Sequence, residues 1–199
     1  VFTVLKVSVY IFGIDFINSQ HASDWVLWVA VATMLVASVI ALTKNNLKAR
    51  LAYSTISQLS YIVVAVALAS PLAALGGALH MVTHAFGKIT LFFCAGAIFV
   101  ATGKKYISQM VGIGRQMPLT ILAFFVGSLS VIGLPPTGGF ISKWFLLLGA
   151  LDRGLYWVVI VYLVSSLLNA AYFLPIVYRA FFCESKDATN FGTHNPDSV

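Results

Sequence analysis

Three lysines, Lys6, Lys88 and Lys143, stand inside apolar stretches, and none of those stretches contains an Asp or Glu that could pair with them. An unpaired ammonium in hydrocarbon is expensive, so a chain that keeps several has a use for them. Lys88 is preceded by His84 and His80 at intervals of four residues. On a helix that spacing advances each side chain by about 40° around the axis and about 6 Å along it, so the three form a ladder on one face over about 12 Å. Imidazole ordinarily titrates at about 6.5, and taking an ammonium out of water makes its proton easier to lose. Groups of both kinds hand protons on near neutrality, and an amine also responds to a cation arriving beside it. The chemistry this pattern suits is ion movement. A plainer reading has the histidines bonding neighbouring helices as packing glue. Metal binding fits poorly: His at i and i+4 is a ligand spacing, but no membrane carboxylate or third histidine completes the set. Nor can two ligands on the same face of one helix take both sides of a haem.

The elements that must position these groups are membrane helices. The chain of 199 residues is 60% hydrophobic and 9% charged, with a mean hydropathy of +0.94. Too little polar side chain remains to cover a water-soluble globule, so lipid is its solvent. The net charge of +6 is scattered through short gaps and never gathers into a basic, aromatic stripe, which argues against nucleic acid. Two cysteines, Cys94 and Cys183, supply neither a disulfide framework nor a multi-cysteine metal cluster.

Spans can be drawn over residues 1–14, 25–43, 51–69, 73–101, 118–150 and 155–181, against a need of about 20 apolar residues each. The expected fold is all-α, a polytopic transmembrane bundle of about six spans with one broken helix. The gap 44–50 holds Lys44, Lys48 and Arg50, the gap 102–117 holds Lys104, Lys105 and Arg115, and the last stretch holds Arg179 and Lys186. Alternating spans put all three on one side, which the positive-inside rule assigns to the cytoplasm. Residues 15–24, 70–72 and 151–154 then face outward, as in a multi-pass protein of a bacterial plasma membrane. Residues 1–182 form the membrane domain and 183–199 a polar tail. The chain opens at Val1 in the middle of an apolar run, without a signal peptide, as the second half of a longer subunit would.

One span has an unusual interior. The stretch 118–150 is too long for one straight crossing and carries Gly133, Pro135, Pro136, Gly138 and Gly139 in its middle, with Lys143 just beyond. Consecutive prolines remove two backbone donors, so the helix must break there. Broken backbone at membrane depth survives only where protein buries it or water lines it, and transporters place ion sites at such breaks. The alternative is two elements joined by a surface turn, with Lys143 reaching for the headgroups. In the third span, Ser54, Thr55, Ser57 and Gln58 could order water, or serve close helix packing. The depth of Lys6 cannot be read from a segment that starts at the first residue.

The strings LKVSVY at 5–10, LAYSTISQLSYI at 51–62, HMVTHAFGK at 80–88 and GLPPTGGFISK at 133–143 together resemble the antiporter-like subunits shared by respiratory complex I and the Mrp cation/proton antiporters. The resemblance covers about residues 1–182 in the family's order. It implies two inverted repeats, each with a broken helix, of which this chain is the second, and proton conduction through membrane lysines, histidines, a glutamate and water. Lys6 would sit at the junction of two half-channels, Lys88 in a central hydrophilic axis and Lys143 on the broken helix, with His80 and His84 in the same chain. The family's key glutamate and its partner lysine belong to an earlier part that this sequence lacks. Gly87 stands where the family commonly has an aromatic, and Trp144 and Phe145 follow Lys143 where the largest complex I member often has acids. These departures lean toward an Mrp D-type or a related medium-sized subunit. The alternatives are a proton-pumping membrane-arm subunit of NADH:quinone oxidoreductase or a related hydrogenase, and a passive scaffold. Expected partners are other membrane subunits, the bilayer, and protons or Na⁺. No nucleotide, flavin or iron–sulfur motif is present, so no cofactor is expected and any redox chemistry falls to partner subunits.

Overall fold

The structure, a computed structural model, describes residues 1–13 and 24–183. Among them are eight α-helices: α1 (Phe2–Lys6), α2 (Asp24–Thr43), α3 (Leu47–Ala67), α4 (Pro71–Thr102), α5 (Ile113–Gln116), α6 (Pro118–Ile132), α7 (Gly138–Asp152) and α8 (Tyr156–Phe182). Helix α1 runs on as a π-helical turn over Val7–Phe12. Helix ends fall where the sequence supplies the chemistry. Asn46 accepts from the Ala49 amide at the start of α3, Pro71 and Pro118 stand in the first turns of α4 and α6, and Gly103 and Gly133 close those two helices in left-handed conformations.

Helices α2, α4 and α8 are each long and apolar enough to cross a membrane. The other expected spans take different forms. Helix α3 has 21 residues, about 31 Å of rise, but Ser54, Ser57, Gln58 and Ser60 are buried on its inner face and lower its apolarity. The first segment is a short apolar helix over Phe2–Phe12. The stretch 118–150 becomes two helices of 15 residues, each rising about 22 Å against a hydrocarbon core of about 30 Å.

Those two short helices follow one another along the same neighbouring helix. Descending α4, Leu91 meets Gly127, Gly87 meets Val131, Thr83 meets Gly138, Gly76 meets Leu146 and Ala73 meets Gly149. Both halves therefore run antiparallel to α4 in a single register. Small residues make the approach close: a Cβ on Gly149 would lie 2.5 Å from the Ala73 nitrogen, and one on Gly87 would lie 3.1 Å from a Val131 methyl. Gly87 thus occupies a position where an aromatic would force α4 and α6 apart.

The basic gaps share one end of the bundle. The Leu47 amide donates to Lys105 O at 3.1 Å, the Ile107 amide to Asn45 O at 2.8 Å, and the Gly112 amide to Arg179 O at 3.3 Å. Arg50 binds the carbonyls of Leu42, in the last turn of α2, and of Lys44 just beyond it, and that of Tyr172. At the opposite end Ser70 donates to Asp152 at 2.8 Å. The polar tail lies outside the described residues apart from Cys183, as does nearly all of the gap 15–24.

Two apolar clusters fill the interior. One, at the basic end, includes Leu51, Leu91, Ile98, Phe124, Val131, Tyr172 and Ile176; the other, at the far end, includes Met34, Tyr61, Val64, Ala73, Leu146, Ala150 and Tyr162. Between them, along each major helix in turn, come Ser38, then Ser54 to Gln58, then His80 to Lys88, then Ser142 and Lys143, then Ser165 to Asn169. A polar layer therefore crosses the bundle at mid-depth, with an apolar seal on either side.

Candidate functional site

The helical break creates the site around Lys143. Gly133 ends α6 at φ +86°, a conformation that suits residues without a Cβ, and the chain turns back so that Gly139 lies against the backbone of Ser130. Pro135 and Pro136 are joined by a cis peptide and sit exposed at the tip of this turn. The last carbonyls of any helix lack helical donors. Here the Lys143 ammonium, one turn into α7, supplies them: it donates to Val131 O at 3.1 Å and Ile132 O at 2.8 Å, and to Ser166 Oγ at 3.1 Å. It also lies 4.9 Å from the centre of the Tyr61 ring. Lys143 is only 7% exposed, which removes the alternative in which it reaches for headgroups.

Lys88 is held by an intact helix. Its ammonium donates to Leu51 O at 3.0 Å and to Ser54 Oγ, and lies 5.4 Å from the Phe173 ring centre. At 6% exposure it too is interior. His80 and His84 fill the space between the lysines. Their rings stack at 5.8 Å, and His80 stacks on Tyr61 at 5.3 Å, which in turn stacks on Tyr162 at 5.0 Å. Nδ1 of His80 bonds Ser142 Oγ at 3.0 Å, joining the ladder to the broken helix. The ladder read from the spacing is therefore a buried line from the break to α3.

The hydroxyl segment divides. Ser54 serves Lys88, whereas Thr55 returns its proton to Leu51 O in its own helix and Ser57 bonds Ser38 of α2 at 2.8 Å, which is packing glue. Neither nitrogen nor oxygen of the Gln58 amide has a partner among the described residues. The same holds for both ring nitrogens of His84, and His80 Nε2, Ser165 Oγ and Asn169 Nδ2 make no close bond, their nearest polar neighbours being the Gln58 backbone and the Tyr61 hydroxyl. Buried polar atoms of this kind are served by ordered water, and these are clustered in the polar layer. Lys6 stands apart: it is exposed, its nearest recorded ring is Phe2 at 6.0 Å, and the structure does not bring it to the other four. Among the described residues no group of His, Cys, Asp or Glu is placed to hold a metal.

A second polar face, on α8, was not anticipated. Ser166 links Lys143 to the Tyr61 hydroxyl, at 3.1 and 3.4 Å, and that hydroxyl also neighbours Ser165 and Asn169. The Tyr172 hydroxyl donates to Asn169 Oδ1 and neighbours Ser54, the partner of Lys88. The two lysines thus share a second line of hydroxyls and an amide beside the histidines. Its signal was present in the sequence as Tyr162, Ser165, Asn169 and Tyr172, polar groups at helical intervals in an otherwise apolar span.

Residues 1–169 match the NADH:quinone oxidoreductase/Mrp antiporter transmembrane family. The chain belongs to that family. It is an integral, multi-pass membrane protein. It is 46% identical over 154 residues to NADH-quinone oxidoreductase subunit N of Desulforudis audaxviator, an alignment covering 77% of this chain and 31% of that protein. Among solved structures, the Mrp complex from Dietzia sp. DQ12-45-1b matches with a TM-score of 0.80 at 31% identity, covering 85% of this chain and 32% of the other. Respiratory complex I from Thermus thermophilus matches with a TM-score of 0.82 over 92% of this chain and 39% of the other, and at 23% identity it speaks for the fold alone. The chain spans about a third of the length of the curated relatives it matches.

Proposed function

We propose that this chain is the second inverted repeat of a proton-translocating membrane subunit, of the subunit N kind, in a complex I-type NADH:quinone oxidoreductase. The observation that carries the reading is the polar layer: Lys143, His80, His84 and Lys88 lie in one buried line between two apolar clusters. Protons confined to such a layer travel sideways from helix to helix, because apolar packing above and below raises the cost of any charge that leaves it. Lys143 and Lys88 take and pass protons, the histidines and the Tyr61 to Tyr172 line bridge them, and water serves the unpartnered atoms. The exposed Lys6 belongs to this path only where the rest of a longer subunit covers it.

The sequence leaned toward an Mrp D-type subunit. The 46% identity to a subunit N favours the complex I alternative, while the likeness to an Mrp complex keeps Na⁺/H⁺ exchange as the second reading. Co-purification of the full-length subunit with flavin and iron–sulfur proteins supports the first, and co-purification with membrane subunits alone supports the second. The basic end faces the cytoplasm in either case. Proton pumping by vesicles carrying the assembled complex tests the path itself. Lys143→Ala is expected to abolish the pH gradient with assembly preserved; an unchanged gradient would return the chain to the status of a passive scaffold.

A further inference from the structure

The polar layer makes no use of a group of lysines at the basic end of the bundle. Lys48 on α3 and Lys104 and Lys105 after α4 line a recess of about 300 Å³ together with Asn46, Ala95 and Phe99. The backbone bonds between Leu47 and Lys105 and between Asn45 and Ile107 hold the two lysine-bearing segments together. The ammonium groups of Lys48 and Lys105 both lie 5.1 Å from the centre of the Phe99 ring. Two like charges thus share one ring, and among the described residues no carboxylate is at hand to offset them: Asp24 and Asp152 sit at the other end of the bundle. The site is built for an anion.

What lies beside the recess says which anion. Helix α4 continues from it with Phe92, seven residues before Phe99 on the same side of the helix, and then Ile89 exposed along one stripe, an apolar surface leading from the basic end toward mid-depth. A free phosphate would contact none of that stripe, whereas a phospholipid would use both parts. We propose that the recess binds the phosphate headgroup of an anionic phospholipid, whose acyl chains lie along this face of α4. Basic recesses between helices at the cytoplasmic surface have the chemistry for this. Because Lys48 and Lys105 flank the tie between α3 and the loop after α4, a bound lipid would fasten the end of the bundle that anchors the Lys88 helix.

Native mass spectrometry of the delipidated full-length subunit tests the site, with phosphatidylglycerol, phosphatidylethanolamine or inorganic phosphate added back. Phosphatidylglycerol is expected to be retained in preference to phosphatidylethanolamine. Lys48→Gln and Lys105→Gln should each weaken that retention by about five-fold, the effect of one lysine near an anionic surface. Arg153→Gln, a charge change at the opposite end, should leave it as in the parent. Equal retention of the two lipids, or a Lys48→Gln/Lys105→Gln double variant that holds phosphatidylglycerol like the parent, overturns the proposal. So does displacement of phosphatidylglycerol by millimolar inorganic phosphate, which would make the occupant a free anion. Far-UV circular dichroism of each variant guards against misfolding, and Lys104→Gln supplies an independent third variant.

Discussion

Lys143 and Lys88 are both interior ammonium groups that donate to backbone carbonyls, yet the carbonyls have different origins. Those of Val131 and Ile132 are the loose end of a helix that stops at Gly133, and Lys143 is the donor that serves them. The Leu51 carbonyl belongs to an unbroken helix and already receives the hydroxyls of Ser54 and Thr55, so Lys88 adds to a group that has other partners. One lysine is part of the scaffold as well as of the proposed path. The other is lodged in a scaffold that stands without it.

That contrast can be broken at its root. A Cβ at Gly139 would collide with the Ser130 carbonyl, backbone that cannot swing aside, so Gly139→Val should close the break incorrectly and cost more than about 3 kcal/mol. The subunit is then expected to be missing from the assembled complex on native gels; normal assembly would refute the geometry of the break. Lys143→Met keeps the length of the side chain and removes the donor, leaving two carbonyls unserved. A loss of about 2–3 kcal/mol is expected, read as a lower unfolding temperature, together with loss of proton flux.

Lys88→Met should stop flux equally while costing only about 1 kcal/mol. Equal destabilisation by the two substitutions would erase the distinction. Smallest of all, Ser57→Ala removes a bond to Ser38 outside the path and should cost about 0.5–1 kcal/mol with flux intact. A fall in flux in that variant would extend the path to α2.

The parts of this arrangement that were legible in the sequence are those that side chains announce. The four-residue spacing of His80, His84 and Lys88 placed them on one face, and Gly133 to Gly139 located the break to within a few residues. The acceptors of the lysines were not legible, because a carbonyl carries no mark in the sequence and Leu51, Val131 and Ile132 read only as core. Thr55 and Ser57 look identical to Ser54 in the string, and only packing decides that one of the three meets an amine. The depth of Lys6 could not be read from a segment that starts at the first residue, and in the described chain it is exposed. The α8 line was overlooked because Tyr, Ser and Asn are cheap enough in a membrane helix to pass as packing groups.

The three acceptors around Lys143 carry one more consequence. An ammonium has three N–H bonds, and Val131 O, Ile132 O and Ser166 Oγ use all of them. A neutral amine has two N–H bonds and a lone pair, so the carbonyls can keep their donors while the third contact reverses, Ser166 now donating to the nitrogen. Ser166 in turn stands 3.4 Å from the Tyr61 hydroxyl. The departure of a proton from this amine therefore asks for the rotation of a single hydroxyl, and leaves both carbonyls at the end of the helix with a donor, although a weaker, uncharged one.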